Sequence, residues 1–221
     1  MRQLVRLLAE DPAAPTAVAA PLEVVDTHVA DSLTALSIAG VAQARSLVDI
    51  GSGAGLPGLV LAAAMPTARV DVVESVRRKC EFIEEAVSAL ALTNARVVCA
   101  RAEEWGSGAG AGSYQVATAR AVAPLSTLLE YAAPLLALDG RLVAWKGKRD
   151  RGDERAAERA AGVLGLRLTA VEQVEPFAGS RHRHLHVYTK HAPTPPGYPR
   201  RPGMARKRPL GSGPNDSRPN G

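Results

Sequence analysis

The stretch "VDIGSGAGLPG", residues 48–58, carries two overlapping glycine motifs. Asp49 is followed by Gly51, Gly53 and Gly55 at alternate positions, a loop typical of enzymes that bind S-adenosylmethionine. From Gly53 onward the same letters spell Gly-x-Gly-x-x-Gly, the fingerprint of dinucleotide-binding proteins. Either motif lets backbone N–H groups approach an anion or a carboxylate at the start of a helix, so this loop is the first candidate for a cofactor site.

Two carboxylates near this loop help to choose between the cofactors. Glu74 lies about 20 residues beyond the glycines, where an acid accepts hydrogen bonds from the ribose hydroxyls of NAD or of S-adenosylmethionine. Asp49 stands before the first glycine, and its charge suits the methionine amino group and would repel a pyrophosphate. The sequence therefore predicts S-adenosylmethionine, with an NAD-dependent oxidoreductase as the alternative.

Two further loops extend the candidate site. In "RAEEW", Ala102 and Glu103 are placed to contact an adenine edge through a backbone N–H and a carboxylate, although a solvated acidic turn also fits. Arg120 stands in "TARA", where Asn-Pro-Pro-Tyr or a Pro-Cys nucleophile would occur in enzymes that methylate exocyclic amines or cytosine C5. An arginine there can anchor a phosphate or hold the S-adenosylmethionine carboxylate, so Arg120 is the candidate catalytic residue.

The elements that position these loops are short β-branched runs alternating with longer amphipathic segments, which predicts βαβ units and a parallel sheet. The predicted strands are 46–50, 69–74, 95–100, 114–119, 141–147, 167–174 and 184–190. The predicted helices are 21–39, a segment from about Pro57 to Pro66, 77–92, 124–138 and about 150–164. Asp139-Gly140 is predicted to turn the chain into the fifth strand.

Composition bounds the class of protein. The 221 residues are enough for one well-buried α/β domain and short for two. No apolar stretch approaches the roughly 20 residues that cross a bilayer, and the N-terminus lacks a secretory pattern, so we expect a soluble cytoplasmic protein without a membrane partner. Cys80 and Cys99 are too few for a disulfide framework or a four-cysteine zinc site, and we expect both to be buried.

Two histidine-containing clusters are interpreted as non-catalytic. His28, Asp31 and Ser32 share one face of a helix and cannot aim at a common carbonyl as a hydrolytic triad does, so we expect a hydrogen-bonded cluster near the mouth of the cofactor site. "RHRHLH", residues 181–186, has no cysteine or acidic cluster beside it. We therefore predict no metal site.

Charge is distributed unevenly along the chain. Residues 181–221 hold nine Lys or Arg against one acid, a net charge of +8, whereas residues 1–180 hold 18 basic and 21 acidic residues, a net charge of −3. The cationic end predicts a polyanionic partner, and its richness in Pro, Gly and charge predicts disorder in the free protein. The candidate RNA-binding residues are Lys146, Arg183, Arg200, Arg201, Arg206, Lys207 and Arg208.

Eight motifs occur in the order and spacing of one bacterial family: "HVADSL", "DIGSGAGLPG", "VVES", "RAEEW", "TARAVAPL", "LVAWKG", "RHLHVYTK" and "YPRRPGMARKRPL". From about Val25 to Leu210 the chain resembles the ribosomal RNA small subunit methyltransferase G family, also called glucose-inhibited division protein B. The resemblance implies an α/β, Rossmann-like class I S-adenosylmethionine-dependent methyltransferase fold, with a mostly parallel seven-stranded sheet, an antiparallel last strand and helices on both faces. From length, pattern and charge we expect a helical extension over residues 1–40, a methyltransferase domain over residues 41–190 and a basic tail over residues 191–221.

The resemblance also implies a reaction and its contacts. The reaction is methylation of N7 of a guanine in 16S rRNA, and the substrate is this RNA or the small ribosomal subunit. The implied cofactor contacts are Gly51, Leu56, Ala102, Glu103 and Arg120, and Glu74 stands where the family often has Asp. Guanine N7 carries a lone pair and no proton, so an in-line transfer needs no strong general base, and alignment alone can supply roughly 7–11 kcal/mol. We expect a monomeric enzyme; an RNA-binding module on a degenerate methyltransferase fold is the alternative outside catalysis.

Overall fold

Strands and helices alternate along the chain in a computed structural model, which describes residues 2–10, 15 and 25–211. The strands are β1 (Ser46–Ile50), β2 (Arg69–Glu74), β3 (Ala95–Cys99), β4 (Tyr114–Arg120), β5 (Leu136–Lys146), β6 (Leu166–Val174) and β7 (Arg183–Lys190). The helices are α1 (Arg2–Glu10), α2 (Asp31–Leu33), α3 (Gly58–Ala64), α4 (Arg77–Ala89), α5 (Ala102–Gly106), α6 (Leu125–Ala132), α7 (Arg151–Leu164) and α8 (Met204–Lys207). None of the helices within these described ranges is long and apolar enough to cross a membrane.

All seven strands form one sheet in the order β3-β2-β1-β4-β5-β7-β6. β1 to β5 pair in parallel, and β7 runs antiparallel to both β5 and β6. The predicted architecture, a mostly parallel seven-stranded sheet with an antiparallel last strand, is confirmed. The strand order reverses between β1 and β4, and ligands of such sheets bind at the carboxyl ends of the strands beside that point.

Helices cover both faces of the sheet because successive side chains of a strand point in opposite directions. Leu47 of β1 belongs to the apolar core under α1, α3 and α4, whereas its neighbour Val48 belongs to the core under α6 and α7. Leu142 and Val143 of β5 divide in the same way. The near-continuous apolar runs that predicted these strands therefore reflect burial on two sides.

The end of α6 was predicted wrongly. The sequence predicted a helix over 124–138, but α6 ends at Ala132 and β5 begins at Leu136. Pro134 explains the difference, since proline has no N–H to donate to a helical hydrogen bond and its ring clashes with the carbonyl group four residues earlier. Asp139, predicted to turn the chain into the strand, lies inside β5 at a positive φ of 63°, where the pairing with β4 is irregular.

The tail differs from the predicted disorder over residues 191–211. This segment crosses the α6 and α7 face, where Ala205 and Leu210 are buried in the apolar core. Arg200 binds the fully buried carboxylate of Glu130 through Nε and Nη2, at 2.8 and 2.6 Å. The composition indicated correctly that the tail cannot form a core of its own. Its apolar side chains are buried in the core of the body instead. Residues 212–221 lie outside the described residues.

The N-terminal extension is helical in two described pieces. Leu4 and Leu8 of α1 are buried in the core that also contains Phe82 of α4. The predicted helix over 21–39 is a continuous helical path over residues 25–37, in which a π-helical stretch precedes α2 and a 3₁₀ turn follows it. Residues 11–14 and 16–24, including the first residues of that predicted helix, lie outside the described ones.

Candidate active site

The glycine loop between β1 and α3 uses backbone geometry that side chains disfavour. Gly51, Gly53 and Gly55 all have positive φ, at 65°, 64° and 83°. A Cβ on Gly55 would lie 2.5 Å from Leu59, so this glycine is required by packing inside the protein. A Cβ on Gly53 would meet nothing within 4 Å, so this glycine faces open space. The loop thus presents its Gly53 side to a ligand and packs its Gly55 side on the core.

Asp49 lies beneath the loop, with no solvent exposure. Its Oδ2 accepts hydrogen bonds from the Ser52 hydroxyl and from Gly58 N at 2.9 Å, and its Oδ1 accepts from Thr118 Oγ1 at 2.8 Å. Burial raises the pKa of Asp49 to about 6, against the opposing effect of these hydrogen bonds. The carboxylate expected to bind the methionine amino group therefore fixes the loop to α3 and β4, because the chain supplies donors to both of its oxygens.

Glu74 ends β2 beside the open side of the loop. Its Oε2 accepts a hydrogen bond from Gly53 N at 3.0 Å, and its Oε1 accepts from the N–H groups of Ser75 and Val76 at 2.8 and 2.9 Å. The nearly buried carboxylate is thus held beside Gly53 by three backbone N–H groups, and its contact with a ribose stays a prediction. Val76, two residues later, exposes 48% of its surface, and sequence reasoning did not select it.

The loop after β3 is only partly as predicted. Ala102 begins α5, and its side chain is buried. Glu103 was expected to contact adenine, but its Oε1 accepts a hydrogen bond from Gly203 N at 2.8 Å, and its side chain is buried beneath the tail. This contact joins residues 100 positions apart, which the local acidic pattern could not reveal. Leu56, the remaining predicted contact, is buried in the apolar core beside α3.

Arg120 ends β4 and binds the N-terminal helical path. Its Nη1 lies 3.0 Å from Asp31 Oδ2 and 3.3 Å from the carbonyl oxygen of Thr27. Ser32 Oγ and His28 Nδ1 lie at 3.4 and 3.5 Å from its guanidinium. The cluster expected on one helix face therefore surrounds Arg120. Asp31 is a partner that the single sequence did not indicate, since it precedes Arg120 by 89 residues.

A pocket of about 180 Å³ opens beside Arg120 at the ends of β4 and β5. Its walls are Arg120, Ala121, Ala123, Trp145, Lys146, Gly147 and Arg183. Lys146 Nζ forms an ion pair with Asp153 at 2.9 Å and lies 3.4 Å from the carbonyl oxygen of Ala123. The structure thus brings Lys146 and Arg183, both predicted to bind RNA, to the same pocket as the candidate catalytic arginine.

The predicted cations of the tail fall into two groups. Arg200 is engaged with Glu130, so its guanidinium holds the tail to the body. Arg201, Arg206, Lys207 and Arg208 have exposed side chains. Arg206 Nη2 lies 3.4 Å from the carbonyl oxygen of Val122, which places α8 beside the loop that borders the pocket.

Neither the cysteines nor the later histidines are among the lining residues of this pocket, although His184 contacts one of those residues. Cys80 is buried as expected, but Cys99 is exposed at the end of β3. His184 Nδ1 lies 2.9 Å from the carbonyl oxygen of Gly147, and His186 Nε2 lies 3.0 Å from Glu154 Oε1. In the described part of the chain, no three His, Cys, Asp or Glu residues are grouped so as to hold a metal ion.

The family model described as rRNA small subunit methyltransferase G matches residues 3–185. The chain belongs to this family. The Ribosomal RNA small subunit methyltransferase G of Chloroflexus aggregans is 45% identical over 184 residues, which are 83% of this chain and 76% of that protein. The protein of the same name from a Synechococcus species is 37% identical over 202 residues, 89% of this chain and 78% of its own.

Solved structures agree at the level of the fold. A S-adenosylmethionine-dependent methyltransferase from Aquifex aeolicus superposes with a TM-score of 0.60 at 15% identity, over 86% of this chain and 98% of that one. The class I methyltransferase fold is therefore confirmed, as is the family resemblance seen in the sequence. S-adenosylmethionine is confirmed as the cofactor, which removes the reason for the NAD alternative.

Proposed function

We propose that this protein transfers one methyl group to N7 of a guanine in 16S rRNA, acting in the cytoplasm as a monomer. The observation that carries the proposal is the pocket at the ends of β4 and β5. Its seven lining residues, all within the described ranges, include the cations Arg120, Lys146 and Arg183 and no carboxylate, imidazole or thiol. Such a pocket presents N–H donors to a substrate, although Asp31 and Asp153 offset part of its positive charge. It offers no group in its walls to remove a proton, which suits a nitrogen that already carries a lone pair.

The glycine loop and the two strand ends beside it fit the cofactor. The open side of Gly53 leaves room for the cofactor to approach the loop backbone, and Glu74 supplies a carboxylate for ribose hydroxyls. Val76 offers an exposed apolar side chain, and we add it to the predicted contacts as a surface for the adenine ring. When bound, S-adenosylmethionine supplies an electrophilic methyl group on a sulfonium.

The protein's own residues position the reactants. Arg120 fixes the helical path over residues 25–37 against the end of β4, and so shapes the wall of the pocket. Lys146 and Arg183 present positive charge at the pocket, and Arg206 does so beside Val122. The exposed Arg201 and Lys207 extend this charge along the tail, so the RNA backbone is held by cations while the base enters the pocket.

The names of the family and of the relatives support the small-subunit rRNA as the substrate class. The choice of N7 depends on the chemistry of the pocket and on the absence, after β4, of the Asn-Pro-Pro-Tyr and Pro-Cys motifs. Holding N7 in line with the methyl group is then the main catalytic task, and proximity of this kind can contribute roughly 7–11 kcal/mol.

The test is methylation of RNA from a strain that lacks the gene. Purified protein and S-adenosylmethionine are incubated separately with naked 16S rRNA, with partly assembled subunits and with finished subunits, and the product is mapped by mass spectrometry and by borohydride–aniline cleavage, which detects N7-methylguanosine. We expect one methylated guanine, cleaved by this treatment, on at least one RNA form.

Two results would contradict the proposal. A methyl group on an exocyclic amine or on a ring carbon would refute the N7 assignment. Binding of both S-adenosylmethionine and RNA without transfer to any of the three forms would favour the non-catalytic RNA-binding module.

A further inference from the structure

The Asp31 carboxylate is half satisfied although it is 1% exposed. Arg120 Nη1 donates to Oδ2 at 3.0 Å, but Oδ1 has no hydrogen-bond partner in the described part of the chain. The Arg183 Nε atom lies 3.9 Å from Oδ1, which is an ionic contact without a hydrogen bond. A buried acceptor left without a donor costs about 1–3 kcal/mol, so this oxygen requires an explanation.

This oxygen lies directly behind the wall of the substrate pocket. Arg120, Trp145 and Arg183 all line the pocket, and all three contact Asp31. The Trp145 contact is a hydrogen bond of 3.0 Å from Nε1 to the Asp31 carbonyl oxygen, which fixes the backbone at this point. The Arg183 side chain is 36% exposed, so a modest rotation of this residue would open Oδ1 to the pocket.

The pocket is small. Its volume of about 180 Å³ is below the roughly 300–1,000 Å³ of pockets that hold drug-sized ligands. A guanine whose N7 faces the methyl donor cannot be recognised by an arginine on O6 and N7, the usual contact, because that arginine would occupy the reacting lone pair. Recognition must then use the Watson–Crick edge, which presents the donors N1–H and N2–H₂ and the acceptor O6.

We infer that Asp31 is the specificity-determining residue for the base, and that its Oδ1 accepts the hydrogen bonds of guanine N1–H and N2–H₂ while Arg183 turns to O6; this rests on the proposed guanine-N7 methylation. Adenine presents the N1 lone pair at the same edge and meets the carboxylate unfavourably. The carboxylate accepts hydrogen bonds and removes no proton. Methylation at N7 leaves a positive charge on the base, which the same carboxylate stabilises.

The test uses 16S rRNA in which a ligated synthetic fragment carries inosine in place of the target guanosine. Inosine keeps N7, O6 and N1–H and lacks only the 2-amino group. A site built to hydrogen-bond that group rejects the analogue, so we expect kcat/KM of the wild-type protein to be about tenfold or more lower with inosine. In Asp31→Asn, kcat/KM with the guanosine RNA falls. The ratio of kcat/KM between the guanosine and inosine RNAs falls below about threefold, because the carboxylate oxygen that accepts from the 2-amino group is lost.

Ser32→Ala is the matched control, since it removes another contact to Arg120 and keeps the carboxylate. We expect this variant to keep the wild-type ratio between guanosine and inosine, and calorimetric titration with S-adenosylmethionine verifies that both variants are folded. Equal wild-type rates on the two RNAs would overturn the assignment of Asp31, whether or not Asp31→Asn folds. Absence of N7 methylation on the guanosine RNA would instead refute the proposed function, so the two failures are distinguishable.

Discussion

Two arginine–carboxylate pairs join the ends of the chain to the body, and they differ in how completely they are satisfied. In the C-terminal pair, the tail supplies Arg200, and both Glu130 oxygens accept its guanidinium N–H groups. In the N-terminal pair, the body supplies Arg120, and one oxygen of Asp31 has no hydrogen-bond partner in the described chain. The first pair lies on the apolar α6 face, and the second lies behind a pocket.

The difference separates a structural contact from a functional one. A buried ion pair whose donors and acceptors are all engaged holds two segments together and has nothing left to offer a ligand. A buried carboxylate with an open oxygen keeps capacity for a substrate at a cost in stability. We therefore expect changes at Glu130 and Arg200 to act on folding, and changes at Arg120 and Asp31 to act on the reaction as well.

The largest effect is expected from Arg200→Ala, which leaves the Glu130 charge buried without its partner. Removing one member of a buried pair costs about 3–5 kcal/mol, and we expect this loss in the free energy of unfolding measured by urea denaturation. Arg201→Ala is the matched control, because the neighbouring side chain is exposed. Unchanged stability in Arg200→Ala would show that the tail is not held by this pair.

Asp49 is a third buried carboxylate, and it accepts hydrogen bonds from neutral groups where Glu130 and Asp31 accept them from an arginine. Burial raises its pKa to about 6 from 3.8, so the folded protein binds a proton that the unfolded chain releases between these values. The stabilisation from this proton is complete below about pH 4 and is lost as the pH rises through 6. Asp49→Asn should therefore exceed the wild type in unfolding free energy at pH 7, by on the order of 2 kcal/mol, with a difference that shrinks towards pH 4.

Denaturant unfolding at several pH values tests this expectation. Glu172→Gln, which changes an exposed acid, provides the control and should show no such pH-dependent gain. A constant difference between Asp49→Asn and the wild type across the pH range would contradict the assigned cause.

Arg120→Ala should act on turnover, since it releases Asp31 and the helical path over residues 25–37 from the pocket. We expect methyl transfer to fall by about tenfold or more, which corresponds to about 1.4 kcal/mol of transition-state stabilisation. The rates are measured at a temperature where the variant is folded, since the buried Asp31 also loses its hydrogen-bond donor and the free energy of unfolding falls with it. Single-turnover rates with saturating S-adenosylmethionine measure the effect, and Arg167→Ala on the exposed side of β6 is the control. Full activity of Arg120→Ala would remove this residue from the site.

The smallest effect concerns the exposed cations of the tail. Truncation after residue 198 would remove the buried Ala205 and Leu210 together with the charges, so the sharper variant is Arg201→Ala combined with Lys207→Ala. Loss of two phosphate contacts should reduce the slope of log affinity against log salt by about 1.4 on single-stranded RNA, with S-adenosylmethionine affinity and the methylated position unchanged. Identical slopes would place these side chains away from the RNA.

The sequence by itself determined most of the local elements and the position of the glycine loop. β1 and β2 were predicted at their observed limits, because strands buried on both faces have a local apolar signature. The glycine loop was predicted from Gly51, Gly53 and Gly55, and all three have a positive φ, which glycine adopts more readily than other residues. Even the misplaced end of α6 had a local cause in Pro134.

Only the tertiary structure decided what the polar side chains do. Asp49 and Glu103 were chosen for the cofactor by type and position, but the structure engages them with Gly58 and with Gly203. Arg200 was predicted to bind RNA together with the other cations of the tail, but the structure pairs it with Glu130, 70 residues away. A carboxylate or guanidinium can pair with any complementary group that the fold brings within about 3 Å, so its role depends on contacts between distant segments, which a single sequence does not encode locally.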